Sequence, residues 1–286
     1  MSLPEPRNIG LGCMSLDSDG SENVTLLRTA IDNGIIFFDT ADLYDKGRNE
    51  EIIGKALSPI RSKVRIATKV GNEWNKSGTD WRWNPTKEYI LKAVDKSLKR
   101  LQTDYIDLYQ LHGGTLDDPI DETIEAFEIL QEQGKILNYG ISSIRPNVIE
   151  EWIKRSNMSS VMMQYSLLDR RPEEECLDML NKSDISVITR GTLAKGMLID
   201  KPAKEYLGYS EQEVKLMQKA VSKTKNSLSA SIQYVNKHPA VDYAIIGIRT
   251  MEQLDEIIQS QTVTIPSETL TELSEVLEPN VYEKHR

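Results

Sequence analysis

Cysteine is almost missing from this chain: among 286 residues there are two, Cys13 and Cys176. They lie far apart and match no metal-ligand or redox spacing, which argues against a disulfide framework and a zinc module, so both read as free thiols of a reducing compartment. Histidine is nearly as scarce, with three. His238 falls at a helix end and His285 in the tail, a poor basis for a metal-dependent hydrolase, and no metal is expected. No run approaches the roughly 18 to 20 apolar residues of a membrane span. The opening MSLPEPRNIGLGCM lacks the charged region and long apolar core of a secretory signal. A polybasic arm is also absent. The net charge of −9 and pI near 5.1 disfavour nucleic acid or an anionic membrane as main partner, though a local basic pocket can still hold phosphate. The expectation is a cytoplasmic protein with no nucleic-acid or membrane partner. Oligomeric state is not readable, because patterning does not separate helices that cover a core from helices that also meet a second chain.

What the chain does have is apolar residues, 39% of the total, enough for a sizeable core in a single domain over residues 1–286. Eight strand-like runs can be marked, at residues 8–14, 35–38, 64–68, 106–111, 136–141, 161–163, 185–189 and 241–246. Helical patterns separate them, with Ser21 as cap of a first helix to about residue 33, then residues 48–58. Pro85 suits the first turn of a helix to residue 101, followed by helices over 120–133, 147–155, 172–182, 211–225, 227–237, from 251, and 267–277. Three of the four tryptophans, Trp74, Trp81 and Trp83, read as part of a polar loop. Strict alternation without a solenoid repeat, a low-complexity linker or a GxGxxG after the first strand favours a closed (β/α)8 barrel over an open doubly wound sheet.

The stretch GIIFFDTADLYDKG, residues 34–47, organises the rest. Its apolar run stops at Asp39, and Tyr44 follows five residues later, so an acid and a phenol reach the same end of one strand. Two later runs end in the same manner, at Lys69 and at His112. In a parallel α/β fold such ends converge on the face where ligands bind. Each residue alone has a bland reading, as a cap, a packed ring or a solvated cation. The conjunction of four points to chemistry.

Here the chain resembles the aldo-keto reductase family. The resemblance rests on GIIFFDTADLYDKGRNEEIIGKAL (34–57), ATKVG (67–71), DYIDLYQLH (104–112), GKILNYGISS (134–143) and MMQYSLLDR (162–170). It continues through TRGTLAKGML (189–198) and AIIGIRTMEQLDE (244–256), in order over nearly the whole chain. It implies a (β/α)8 barrel that binds NADPH and reduces a small-molecule carbonyl, with Asp39, Tyr44, Lys69 and His112 as the catalytic set. In that set Tyr44 donates the proton. Its ordinary pKa of about 10 is too high for easy donation at neutral pH, and Lys69, held charged by Asp39, supplies the cation that lowers it. His112 orients the carbonyl oxygen.

The resemblance also implies cofactor positions. Ser142, Ser143 and Gln164 would bind a carboxamide and Tyr165 would stack on nicotinamide. Arg190, Gly191, Thr192, Leu193 and Lys195 would cover the pyrophosphate, Gly247 and Arg249 would take a phosphate, and Gln253 and Glu256 would face the adenosine. Met14, Leu43 and Trp74 would line the substrate pocket, which names no metabolite. Relatives commonly carry Asn where Ile257 stands and a second cation where Thr250 stands, so the preference for NADPH over NADH rests largely on Arg249. The chain starts too late for the family's full N-terminal hairpin, leaving open what covers the barrel floor. Three other readings are a Schiff-base enzyme on Lys69, disfavoured because Asp39 keeps that amine charged, a metal-dependent hydrolase, and a nucleotide-binding regulatory or sensor subunit with little turnover.

Overall fold

The computed structural model describes residues 9–17, 20 and 22–286. Ser21, expected as a cap, and Asn8, expected to open the first strand, lie outside the described residues. The strands are β1 (Ile9–Gly12), β2 (Phe37–Asp39), β3 (Arg65–Val70), β4 (Asn72–Trp74), β5 (Trp81–Trp83), β6 (Ile106–Leu111), β7 (Ile136–Ser142), β8 (Ser160–Gln164), β9 (Ser186–Arg190) and β10 (Val241–Gly247). The helices are α1 (Asn23–Asp32), α2 (Arg48–Leu57), α3 (Lys87–Leu101), α4 (Ile120–Glu132), α5 (Pro146–Arg155), α6 (Cys176–Lys182), α7 (Glu211–Val221), α8 (Ser227–Asn236), α9 (Met251–Ser260) and α10 (Ser267–Ser274).

All strands except β4 and β5 close a barrel in the order β1-β10-β9-β8-β7-β6-β3-β2, the (β/α)8 architecture. The parallel register sets Asp39 opposite Ala67 on β3 and Lys69 opposite Gln110 on β6. Lys69 is therefore inside its strand rather than just beyond it, and Asp39 is the last residue of β2.

The tryptophan-rich segment differs from the expected loop. It is an antiparallel ribbon, β4 against β5, with Trp74 opposite Trp81, turning through Gly78 at φ +66°. Alternation of large aromatic and charged residues favours extended pairing there, and the loop-like composition of the turn masks it. Pro85 precedes its helix, because Thr86 is the cap and its side chain accepts the Tyr89 N–H. The segment expected as one helix over 172–182 divides into a short 3-10 turn at Arg171–Glu173 and α6. The seventh helix stops at Val221 rather than 225.

The packing groups into two compact units, one of residues 10–161 with 247–250 and one of residues 162–246 with 251–286 and the segment ending at Ile9. In the first, Phe127 stacks on Tyr139 at 5.5 Å and meets Tyr109 and Trp152 edge-on at 5.7 and 6.3 Å. The α2–α3 contact is close because Gly54 presents no side chain: a Cβ there would stand 2.3 Å from the Arg100 carbonyl oxygen and 2.7 Å from the Leu101 carbonyl carbon. Backbone cannot yield as a flexible side chain does. Gly54→Ala is expected to destabilise the protein by about 2–3 kcal/mol, measured by urea unfolding. Across the same contact the fully buried Glu50 accepts from Arg100 Nε at 2.6 Å and from the Thr68 hydroxyl at 2.6 Å.

In the second unit Glu173 is the polar centre. Its carboxylate takes the Tyr165 hydroxyl at 2.9 Å, the Tyr234 hydroxyl and a two-nitrogen contact from Arg170 at 2.7 and 2.9 Å. Arg170 also donates to the Ser274 and Leu277 carbonyls, which ties the C-terminal segment to this centre.

Candidate active site

The site grows from the ends of β2 and β3. Lys69 is 1% exposed and aims its ammonium at the last residue of β2, donating to Asp39 Oδ1 at 2.6 Å, Asp39 Oδ2 at 2.8 Å and the Thr40 carbonyl at 2.7 Å. An ammonium has three donors, and Asp39 and the Thr40 carbonyl offer three acceptors to it, with the Tyr44 hydroxyl a further partner. Burial pulls the Lys69 pKa down, but the Asp39 charge, with Tyr44 adding to it, more than offsets this and leaves it above the ordinary lysine value. Lys69 stays charged.

Tyr44 follows in the turn Tyr44–Gly47, where Asp45, Lys46 and Gly47 all take positive φ (46°, 56° and 89°). Such a left-handed run fixes the direction in which the chain leaves Tyr44 for α2. The Tyr44 ring lies under the Lys69 ammonium, 5.2 Å from Nζ to ring centroid. His112, directly after β6, meets that ring edge-on at 5.8 Å between centroids. Asp39, Tyr44, Lys69 and His112 thus stand together, delivered by three neighbouring strands.

Several groups around them were not singled out in the sequence. Cys13 is fully buried beside the Asp39 and Lys69 charges, and its thiol pKa is pushed up by burial and by Asp39. Asn49 donates to the Cys13 carbonyl at 2.7 Å and accepts the Thr40 hydroxyl at 2.6 Å, bracing the backbone that carries the acid. Asp42 is 7% exposed, with Oδ1 lacking a hydrogen-bond partner. Burial first, and the nearby Glu50 second, raise its pKa well above the usual carboxylate range, against a smaller opposing pull from Arg100. The only sequence sign of this network is an unusual density of acids in 39–51, next to a strand.

Asp42 carries a stability consequence. Its folded pKa is raised, so the native state holds a proton that the unfolded chain releases above about pH 3.9, and stability falls as pH rises through the folded value. Asp42→Asn removes that linkage. It is expected to raise Tm at pH 7 by about 2–4 °C, with the gain vanishing as the pH approaches the ordinary aspartate range, as read by thermal melts across pH.

The remaining residues are placed as follows. In the unit of residues 10–161, Met14 is 63% exposed, and Leu43 and Trp74 are half-buried. Ser142 ends β7 half-buried, and Ser143 is buried with its hydroxyl accepting the Arg145 N–H at 3.2 Å. Gly247 and Arg249 are exposed at and after the end of β10. In the other unit, Gln164 ends β8 and joins Arg190 at 3.0 Å and Tyr206 at 2.9 Å. Tyr165 is buried, 3% exposed, with its ring 5.8 Å from Tyr234. Gly191 has φ +70°, and a Cβ there would stand 2.9 Å from Gln164. Thr192 is buried, Leu193 half-buried and Lys195 exposed. Gln253 and Glu256 are exposed on α9 while Ile257, 2% exposed, faces the interior. The exposed guanidinium groups, Arg249 in the first unit and Arg190 in the second, are each of a kind that pairs with a phosphate oxygen. Among the described residues no group of three or more His, Cys, Asp or Glu side chains is arranged to hold a metal, and no helix is long and apolar enough to cross a membrane.

A parallel eight-stranded barrel with this acid–lysine–phenol–imidazole cluster at its strand ends defines a class, and the sequence agrees: the chain belongs to the aldo/keto reductase family, whose model matches residues 8–278. It is 48% identical to a Bacillus subtilis (strain 168) protein described as the uncharacterized oxidoreductase YqkF, over 97% of this chain and 95% of that one. Among solved structures it is similar to the holo form of the aldo-keto reductase AKR11C1 from Bacillus halodurans, with TM-score 0.94, 45% identity, and 98% and 95% of the two chains covered. An aldo/keto reductase from Klebsiella pneumoniae in complex with NADP and acetate is similar at TM-score 0.79 and 26% identity, covering 97% and 94%.

Proposed function

We propose that this protein is an NADP(H)-dependent oxidoreductase that reduces an aldehyde or ketone to the alcohol. The observation that carries the reading is the buried Lys69 ammonium, locked by both oxygens of Asp39 and lying over the Tyr44 ring. A permanent cation beside a phenol favours the phenolate left after proton transfer, so Tyr44 acts as the general acid. NADPH, when bound, supplies the hydride to the carbonyl carbon. Tyr44 supplies the proton to the carbonyl oxygen, and the alcohol closes the balance. Lys69 stabilises the tyrosinate, Asp39 holds Lys69 charged, and His112, against the Tyr44 ring, directs the carbonyl oxygen toward the phenol.

The cofactor assignment is supported by family membership and by the Klebsiella pneumoniae relative in complex with NADP. On this reading the dinucleotide residues are Ser142, Ser143, Gln164, Tyr165, Arg190, Gly191, Thr192, Leu193, Lys195, Gly247, Arg249, Gln253 and Glu256. Arg249 favours the phosphorylated dinucleotide as a charge-assisted partner of its phosphate. Ile257, turned inward, leaves adenine recognition to Gln253 and Glu256. Met14, Leu43 and Trp74 shape the substrate side.

The test is NADPH oxidation with a panel of aromatic and aliphatic aldehydes, beside a direct NADPH titration of protein fluorescence. Turnover with at least one carbonyl is the expected result. Tight NADPH binding without turnover across the panel would instead make the protein a nucleotide-binding regulatory or sensor subunit.

A further inference from the structure

The cations of this acidic chain are unevenly placed. Five surface lysines sit beside carboxylates: Lys87 with Glu125, Lys92 with Glu88 at 2.5 Å, Lys135 with Asp95 at 2.6 Å, Lys154 with Glu150 at 2.9 Å and Lys215 with Glu211. One cleft of about 950 Å³ in the unit of residues 10–161 instead gathers cations. Bounded by α1, α2, α3 and the turn after Tyr44, it is lined by Lys46, Arg48, Lys55, Lys96, Lys99 and Arg100, against a single carboxylate among the described residues, Glu51. Arg48 lies 3.8 Å from Glu51 and Arg100 is engaged with Glu50, while Lys46 rests 5.8 Å from the Trp74 ring centroid. Lys55, Lys96 and Lys99 make no ion pair among the described residues. Like charges three and four residues apart on one helix, as at Lys96, Lys99 and Arg100, are mutually destabilising.

The spacing and the floor of the cleft say what would relieve this repulsion. Arg48 and Lys55 line it from positions seven residues apart on α2, about 10 Å at 1.5 Å per residue, facing the α3 cations. That length suits an extended anion better than one compact oxyanion. Lys46, Lys96 and Arg100 also line an inner recess of about 210 Å³, whose wall holds Asp42. Asp42 is 7% exposed with Oδ1 unpartnered, as noted above. Glu73 lines the recess too, occupied by Arg82 at 2.7 Å and Asn84 at 2.8 Å. With its pKa raised by burial, Asp42 is an O–H donor whenever it is protonated, and a phosphate oxygen is then its natural acceptor. We propose that this cleft is an anion site separate from the dinucleotide residues. It binds a chain of linked phosphates, with Lys55, Lys96 and Lys99 along the chain and Lys46, Arg100 and Asp42 around its inner end.

The test is a calorimetric titration of inorganic tripolyphosphate into the full-length protein at an ionic strength of about 0.15 M, where distant surface charges are screened. It is run with saturating NADPH, which fills the dinucleotide's own phosphate positions, and again without it, so that the outcome is readable even where the dinucleotide does not bind. Saturable binding is expected in both. The double variant Lys96→Glu/Lys99→Glu should lose at least about tenfold in affinity, whereas Lys215→Glu on α7 should match the wild type. Orthophosphate should bind at least about tenfold more weakly than tripolyphosphate. Adenosine triphosphate in a parallel arm identifies the source: tighter binding than tripolyphosphate assigns a nucleotide, equal binding a free polyphosphate. Absence of saturable binding, unchanged affinity in the double variant, or orthophosphate binding as tightly as tripolyphosphate would each overturn the site.

Discussion

Tyr44→Phe is expected to lower kcat by about 10²–10⁴-fold while NADPH affinity and Tm stay at the wild-type values. The substitution removes one oxygen. The ring remains under the Lys69 ammonium and edge-on to His112, contacts that belong to the ring rather than the hydroxyl. What disappears is the proton that must reach the carbonyl oxygen as hydride arrives at carbon. Water can replace it only inefficiently, because it is neither positioned nor activated by the buried cation. Steady-state kinetics with the best aldehyde of the panel, with an NADPH titration and a thermal melt on both proteins, separates the chemical step from binding and folding. Equal turnover in the two proteins would remove Tyr44 from the reaction.

Lys69→Met is expected to cost about 3–5 kcal/mol of stability, besides abolishing turnover. Methionine fills much of the space of the lysine stem, so packing is a small part of the loss. The larger part is Asp39, 5% exposed, whose two oxygens would lose the partner they share. Removing both charges together should be far milder: Lys69→Met/Asp39→Leu is expected to recover most of the loss, since the cost lies in leaving one buried charge alone. Urea unfolding of the wild type, both single variants and the double variant closes the cycle. Loss of Lys69 amounting to less than about 1 kcal/mol would place the pair among ordinary surface ion pairs. The pH dependence has a definite sign. The folded Lys69 pKa is raised, so its contribution is fully present below the unfolded lysine value of about 10.4 and is lost as pH rises through the folded value. The part of the stability difference between wild type and Lys69→Met that comes from the Lys69 charge should therefore disappear in strong alkali.

The arrangement of β2, β3 and β6 was legible because each strand is a short apolar run with its chemistry at one end, and the parallel register converts three such ends into one cluster. Closure of the barrel followed from counting alternations. Three things resisted. The Trp74–Trp81 ribbon is a local pairing whose turn residues look like any loop, so composition hid the strands on either side. The positions of helix ends at Thr86, Cys176 and Val221 depend on single side-chain or turn contacts that periodicity does not resolve. Last, the Glu50–Arg100 pair joins positions 50 residues apart in sequence, and the Asp42 pKa is raised by burial first and by Glu50 second. Both are products of how α2 packs on α3, and no spacing within the sequence encodes them. Of the residues assigned to the dinucleotide, none could have been chosen from its chemistry alone. Family resemblance selected them.

The two cysteines, noted at first only for their rarity, amount to a pair of built-in clocks. Cys13 lies in the unit of residues 10–161 and Cys176 in the other, both 0% exposed and both free. A thiol reagent cannot reach either sulfur until the surrounding structure opens, so labelling rates report opening events without any engineered probe. If the two sulfurs react at one common rate, the chain opens as a whole. A faster rate at one of them would show which half breathes independently, and mass spectrometry of the labelled peptides would read both from a single sample.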